Sequence, residues 1–404
     1  MITLTSDYRL LIDPTKTAAF YAVFLIFPVY MIYQVLVQFR FIPPVFGSYF
    51  SVAAVLILPL SLWVVLKGSG YSRCFGMFYV KLLMLLVFMM CVLGLVGHFS
   101  GVNAEINSYH FKSALRFCSL FFVMFSFVLL SLSSRRLFFW FMVSYSVFIC
   151  IFSVGGSFVY PAMMINGYMF ELDYQQIALV YLIVLIMLLP ECGAMQRFLL
   201  YVVTIPAMFL IGARSEFFAF FILVFIVEFV RYGARFIIFS YFALLATILS
   251  LFVFMSGRDF TEYRIFAIFS SDGDSSLNSR KVLQERAINT ILEHPLMGAY
   301  YSHEPGAYAH SALAAWVDYG VLGFIILLVL VLGPFFSLMA NFRRHYHSPI
   351  WIQAFSSISI TIFMLIFAKS YTYSLVPVSI ALYCIFRIKA DQDSVKYLPI
   401  RGIV

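Results

Sequence analysis

Charge is scarce in this chain. Asp, Glu, Lys and Arg make up 11% of its 404 residues, against 63% hydrophobic residues, and the mean hydropathy is +0.99. So few polar groups could not cover a water-soluble protein of this length. Cysteine is sparse too: Cys74, Cys91, Cys118, Cys150, Cys192 and Cys384 all lie in or beside apolar runs. That placement gives no disulfide framework and no cysteine-based metal spacing, so the thiols read as small buried hydrophobes. A Gly/Ser-rich linker, an internal repeat and a Gly-x-Lys-Ser/Thr phosphate loop are all missing. Their lack argues against a separate soluble domain, the duplicated plan of many secondary transporters, and ATP hydrolysis. Asp272 and Asp274 sit in a turn-rich stretch that lacks the distal Glu of a calcium loop, so neither a metal nor another cofactor is expected.

What the chain has instead is long apolar runs. They are continuously apolar rather than alternating, which selects helices over a barrel in lipid. The expected fold class is an all-α polytopic membrane protein, one transmembrane domain over 1–404. Twelve spans are predicted at 17–39, 44–66, 76–97, 112–131, 137–155, 174–190, 197–212, 215–231, 235–256, 312–340, 350–367 and 371–388. The first run is too long for a signal peptide and has no small-residue cleavage site, so it reads as an anchor. The net charge of +8 does not point to nucleic acid, because the basic residues sit mainly in short connectors. Lys67, Arg73, Arg135, Arg136, Arg197, Arg231, Arg235, Arg343 and Arg344 fall in even-numbered connectors, which sets both termini in the cytoplasm. Odd-numbered connectors are poorer, with Arg40 in the first, Lys112 and Arg116 near the third and Lys369 in the last.

One stretch, 257–311, interrupts the apolar pattern between the ninth and tenth spans, and the orientation puts it outside. It carries Arg258, Arg264, Arg280, Lys281 and Arg286 together with His294, His303 and His310. Five basic residues on the outer side break the orientation bias, so they are assigned another task. Ser279 is a candidate cap for an amphipathic helix from about Arg280 to Glu293, ended by Pro295, with Gly298 in a tight turn. Arg214, in Ile-Gly-Ala-Arg-Ser-Glu between two spans, is a second informative cation. Arginine at that depth needs pairing or solvation, and Glu216 is its nearest candidate partner.

The order of these motifs resembles a known family. Gly212-Ala213-Arg214-Ser215 is followed by Ser279-Arg280 opening a loop helix. Then come His294-Pro295-Leu296-Met297-Gly298, Ala309-His310-Ser311 and Asp318-Tyr319-Gly320-Val321-Leu322-Gly323. The set is similar to the O-antigen polymerase and O-antigen ligase superfamily (Wzy and WaaL types), integral membrane glycosyltransferases that use polyprenyl-diphosphate-linked sugars. The motifs span Arg214 to Gly323. Where that family often has Asn after the histidine, this chain has Ser311.

The resemblance implies that loop 257–311 is a periplasmic catalytic loop in a multi-pass bacterial inner-membrane protein. It implies undecaprenyl-diphosphate-linked glycan as donor and acceptor, membrane lipid as surroundings and a chain-length regulator protein as a candidate partner. His310 matches the general base that takes the proton of the attacking hydroxyl. Arg214 and Arg280, with Arg286, match diphosphate-binding cations. Arg264, His303, Glu304 and Asp318 are candidate supports, Glu304 and Asp318 for orienting His310 or holding sugar hydroxyls. The preferred activity is that of an O-antigen polymerase, inverting at the anomeric carbon, with an O-antigen ligase acting on lipid A-core as the alternative. A lipid-linked glycan flippase or other transporter is the alternative of another class. Such proteins usually carry functional polar groups within several spans.

Overall fold

Prolines and glycines mark the ends of the helices. In the computed structural model, which describes residues 13–44, 49–68, 70–101, 104–154, 157–165, 168–233, 275–300 and 309–396, Pro14 opens α1 (Pro14–Ile26), capped by Asp13 on the Thr15 N–H at 3.0 Å. Pro28 restarts the chain as α2 (Pro28–Gln38) after a break at Phe27. A proline offers no N–H to the preceding turn, so one apolar run becomes two angled pieces. The remaining helices are α3 (Tyr49–Lys67), α4 (Phe78–Phe99), α5 (Ala104–Val128), α6 (Leu132–Ile151), α7 (Tyr174–Leu188), α8 (Ala194–Ile211), α9 (Arg214–Tyr232), α10 (Ser275–Glu293), α11 (Leu313–Ala340), α12 (Pro349–Phe367) and α13 (Leu375–Lys396).

Among the described residues, eight helices are long and apolar enough to cross a membrane: the α1–α2 unit, α4, α5, α6, α7, α8, α11 and α12. The chain is a predominantly α-helical polytopic membrane protein. Helices α3, α9 and α13 stand where three further spans are predicted from sequence. The predicted span 235–256 lies outside the described residues, as do loop residues 257–274 and 301–308.

Helix α7 is buried at every position from Ile177 to Leu188, and α5 at every position from Ser119 to Val128. A helix apolar all round belongs at the centre of a bundle. Accordingly α5 packs against α1, α3, α4 and α13, while α7 packs against α9 and α12. Helix α5 starts at Ala104, eight residues before the predicted span, so Lys112 and Arg116 lie well inside the helix and not at its outer end. Between α6 and α7 a short antiparallel hairpin, β1 (Met163–Ile165) and β2 (Tyr168–Phe170), pairs Met164 with Met169. No alternation in the sequence announces it.

The end of the bundle read as cytoplasmic is held by paired charges. Arg197 of α8 donates to Glu228 of α9 at 2.6 and 3.3 Å and to the Tyr232 hydroxyl at 2.9 Å. Both side chains of the ion pair are about as buried as a core leucine, at 5% and 3% exposure. Arg135 pairs with Glu191, which also accepts from Gln353 at 3.3 Å. Two arginines counted from sequence as orientation signals are thus structural cross-links as well. Glu228→Leu removes one partner and strands the other, so it is expected to cost about 3–5 kcal/mol. A thermal melt of the purified protein in detergent checks this. A melting temperature equal to the parent's would mean that the pair contributes nothing to the fold.

Candidate active site

The loop helix is joined to the membrane bundle by backbone contact. Helix α11 has one non-helical residue, Gly320, at φ 66° and ψ −168°. The break frees the groups that the turn after α10 satisfies. Val321 N–H donates to the Pro295 carbonyl at 3.2 Å, and Ala299 N–H donates to Val317 at 2.7 Å. The Trp316 ring N–H also donates to Pro295, at 2.8 Å. Gly298 turns at φ 71°, and a Cβ there would lie 2.6 Å from the Gly320 nitrogen. A Cβ on Gly320 would lie 2.0 Å from the Leu296 carbonyl oxygen. The His294–Gly298 motif and the Asp318–Gly323 motif, distant in sequence, therefore form one interlocked unit in which both glycines are required for close approach.

His310 sits half-buried just ahead of α11. Two residues on, Ala312 N–H donates to the Leu365 carbonyl at 2.7 Å, fastening this segment to the end of α12. Burial pushes the His310 imidazole down from its usual value to about 4, and the positive charges of Arg280 and Lys369 push the same way. His310 is therefore neutral at physiological pH. Arg280 is half-buried on α10, whereas Arg286 is exposed. Six residues separate them, which is roughly a third of a circle around the helix axis, so Arg286 does not share the Arg280 face. Helix α10 begins at Ser275, not at Ser279.

Lys369, in the connector after α12, is a hub. Its ammonium lies 2.9 Å from Glu216 Oε1, donates to Gln175 Oε1 at 3.1 Å and stands 5.7 Å from the Tyr373 ring centre. Glu216 is 1% exposed and also accepts from the Ser215 hydroxyl at 2.9 Å. The Tyr373 phenol is pushed well above its usual range by burial and by the facing Glu216 carboxylate. Arg214 opens α9 after the left-handed Gly212, two residues before Glu216. The carboxylate taken from sequence as a partner for Arg214 is engaged by Lys369 instead.

Asp318 is buried and tied to the α12–α13 connector. The Tyr371 hydroxyl donates to its Oδ2 at 2.8 Å. That hydroxyl is also 3.0 Å from the Tyr319 oxygen and 3.3 Å from His110 Nδ1. Tyr300 packs edge-on to His110 at 5.2 Å. This aromatic cluster ties α5, α11 and the α12–α13 connector together. Asp318 thus holds the connector that carries Lys369, and His310 feels Arg280 and Lys369.

The structure brings His310, Arg280 and Lys369 into one electrostatic neighbourhood, with Arg214 on the helix end that Lys369 grips through Glu216. Arg286 is not drawn in, and Arg264, His303 and Glu304 lie outside the described residues. Sequence reasoning passed over Lys369, which stood out only as a basic residue in an outer connector. No family model and no curated protein matches this chain.

Proposed function

We propose that the chain is an O-antigen polymerase-type glycosyltransferase. It transfers a growing glycan from undecaprenyl diphosphate to the non-reducing end of another lipid-linked repeat unit. What supports the reading is a half-buried His310 whose imidazole stays neutral under the charges of two cations, Arg280 from the loop helix and Lys369 from the bundle. An imidazole of that form accepts the proton of a sugar hydroxyl as the oxygen attacks the anomeric carbon. The bond from that carbon to the diphosphate oxygen breaks on the opposite face, inverting configuration. Arg280 and Arg214 take up the charge that develops on the leaving diphosphate, and guanidinium forks suit its oxygens. The diphosphate is an acidic leaving group, so no protonating carboxylate is needed. This reading carries twelve spans, with the ninth over 235–256, both termini in the cytoplasm of a bacterial inner membrane and the loop in the periplasm.

The test is reconstitution of the full chain in liposomes with purified lipid-diphosphate repeat units. A ladder of lengthened glycans is expected. Arg280→Ala should weaken the ladder by about a hundredfold or more, while Arg286→Ala should change it by less than about threefold. Label that crosses the bilayer without new linkages would replace the polymerase with a transporter. Transfer only to lipid A-core would replace it with a ligase.

A further inference from the structure

Helix α6 packs against α8, and a cavity of about 610 Å³ lies between the two. That volume is within the range of small-molecule sites, roughly 300–1,000 Å³. Arg136 and Trp140 line it from α6, and Gln196, Phe198, Leu199 and Val202 line it from α8. Spacings of three and four residues put each set on one face of its helix. Arg136 stands in the second turn of α6 and Gln196 in the first turn of α8, so both helices start at the same end of the groove. Arg135 meets Glu191 at that end, and Glu191 also bonds Gln353 at the start of α12. Ala312 bonds Leu365 near the other end of α12. The groove and His310 therefore lie at opposite ends of the bundle.

The groove changes character along its length. At the helix starts it offers donors. Arg136 is exposed, and no carboxylate among the described residues pairs with it. Gln196 Oε1 accepts the Gly193 N–H at 3.0 Å, which leaves the amide nitrogen to donate outward. The indole N–H of Trp140 only donates. No Asp or Glu is among the described residues that line the cavity. Further along α8, Phe198, Leu199 and Val202 present only hydrocarbon, and Phe198 and Val202 are exposed. Both helices are long and apolar enough to cross a membrane.

The matching ligand accepts at one end, carries negative charge there and is apolar beyond. Free phosphate would leave the hydrocarbon walls uncovered. A sugar would bring hydroxyls to walls that have no partners for them. A zwitterionic lipid would bring its own cation toward Arg136. Basic pockets between spans suit anionic headgroups, and the positive dipole ends of α6 and α8 add to the attraction. We propose that the α6–α8 groove binds one anionic glycerophospholipid, with its phosphate on Arg136 and an acyl chain along Phe198, Leu199 and Val202. The inference does not depend on the glycosyltransferase reading.

The test is titration of the purified full chain in detergent with phosphatidylglycerol and with phosphatidylcholine of the same acyl chains. Bound lipid is counted by native mass spectrometry. The parent should retain one phosphatidylglycerol and bind it at least about tenfold more tightly than phosphatidylcholine, the worth of one uncompensated charge-assisted contact. Arg136→Gln should erase that preference. Arg344→Gln, at an exposed arginine outside the groove, should keep it. Val202→Trp should fill the apolar end and weaken both lipids. Without added lipid the three variants should melt with the parent, since each site is exposed. A parent without preference, or a preference that survives Arg136→Gln, would overturn the site and leave the groove to bulk lipid. Unchanged binding in Val202→Trp would overturn the placing of the acyl chain. Inorganic phosphate that displaces phosphatidylglycerol at equal concentration would make this a free-anion site and overturn the lipid.

Discussion

His310→Ala is expected to lower glycan transfer by about a hundred- to ten-thousandfold, the usual worth of a positioned general base, with protein level and helical content unchanged. The pH dependence says more. In the free protein the imidazole stays neutral down to about pH 4, so kcat/KM should hold across the neutral and mildly acidic range and fall only as pH drops through that value. A base of such low affinity for protons is a poor one near pH 7. Under the proposed function, the donor's diphosphate would offset this. Its negative charge beside Arg280 and Lys369 cancels the two cations that depress the imidazole, and the proton affinity of His310 rises. The acid limb of kcat, which reports the complex, should therefore lie at higher pH than the limb of kcat/KM. Lys369→Met removes one depressing charge and should move the kcat/KM limb upward toward the ordinary imidazole value. Rates measured over the acid range in liposomes check all three. Coincident limbs in the parent, or an unmoved limb in the Lys369 variant, would separate His310 from this electrostatic account.

The other large effect is structural. Gly320→Ala places a methyl group 2.0 Å from the Leu296 oxygen at a residue with φ of 66°. Backbone meets backbone there, so no rotamer change relieves the overlap. The left-handed conformation adds its own penalty for any side chain. A loss of about 3 kcal/mol or more is expected, read as a lowered melting temperature or as failure to accumulate in the membrane. Gly298→Ala meets the same interface from the other side, 2.6 Å from the Gly320 nitrogen, and should behave alike. Gly76→Ala is the control, because its Cβ would meet nothing within 4 Å. If all three variants melted together, the docked turn would not matter to stability.

How far the sequence could be read follows from what each feature depends on. Spans such as α4 and α12 are continuous apolar runs, and hydropathy alone finds them within a few residues. Helix α5 begins earlier than its apolar run because Glu105, Asn107, His110 and Lys112 are helical too. A scan for apolar residues stops at such residues, although Asn107 and His110 are buried. Helix α10 ends at Glu293 ahead of Pro295 as expected. Its start was misplaced because Ser275, Ser276, Asn278 and Ser279 can all cap, and composition does not rank them. The hairpin is three residues per strand, too short for alternation to register.

The candidate site divides the same way. His310, Arg214 and Arg280 drew notice because polar residues are rare here and their order resembles that of a known family. Lys369 did not, because a single lysine in a connector carries an orientation signal whether or not it has a second task. Its partners, Glu216 and Gln175, come from other helices that only folding brings near. The fit between Gly298 and Gly320 is likewise invisible in one dimension, since each glycine alone reads as an ordinary turn or packing residue.

The interlocking of Gly298 with the break in α11 also bears on how the protein responds to its bilayer. Leu296 to Ala299 are bonded to or packed on the backbone of that span, and Arg280 rides on the helix that leads directly into them. No slack segment separates the two among the described residues. A span adjusts its tilt to the hydrocarbon thickness around it, and here such a tilt would move a guanidinium relative to His310. Under the proposed function, lipid chain length then becomes a variable in the placing of Arg280.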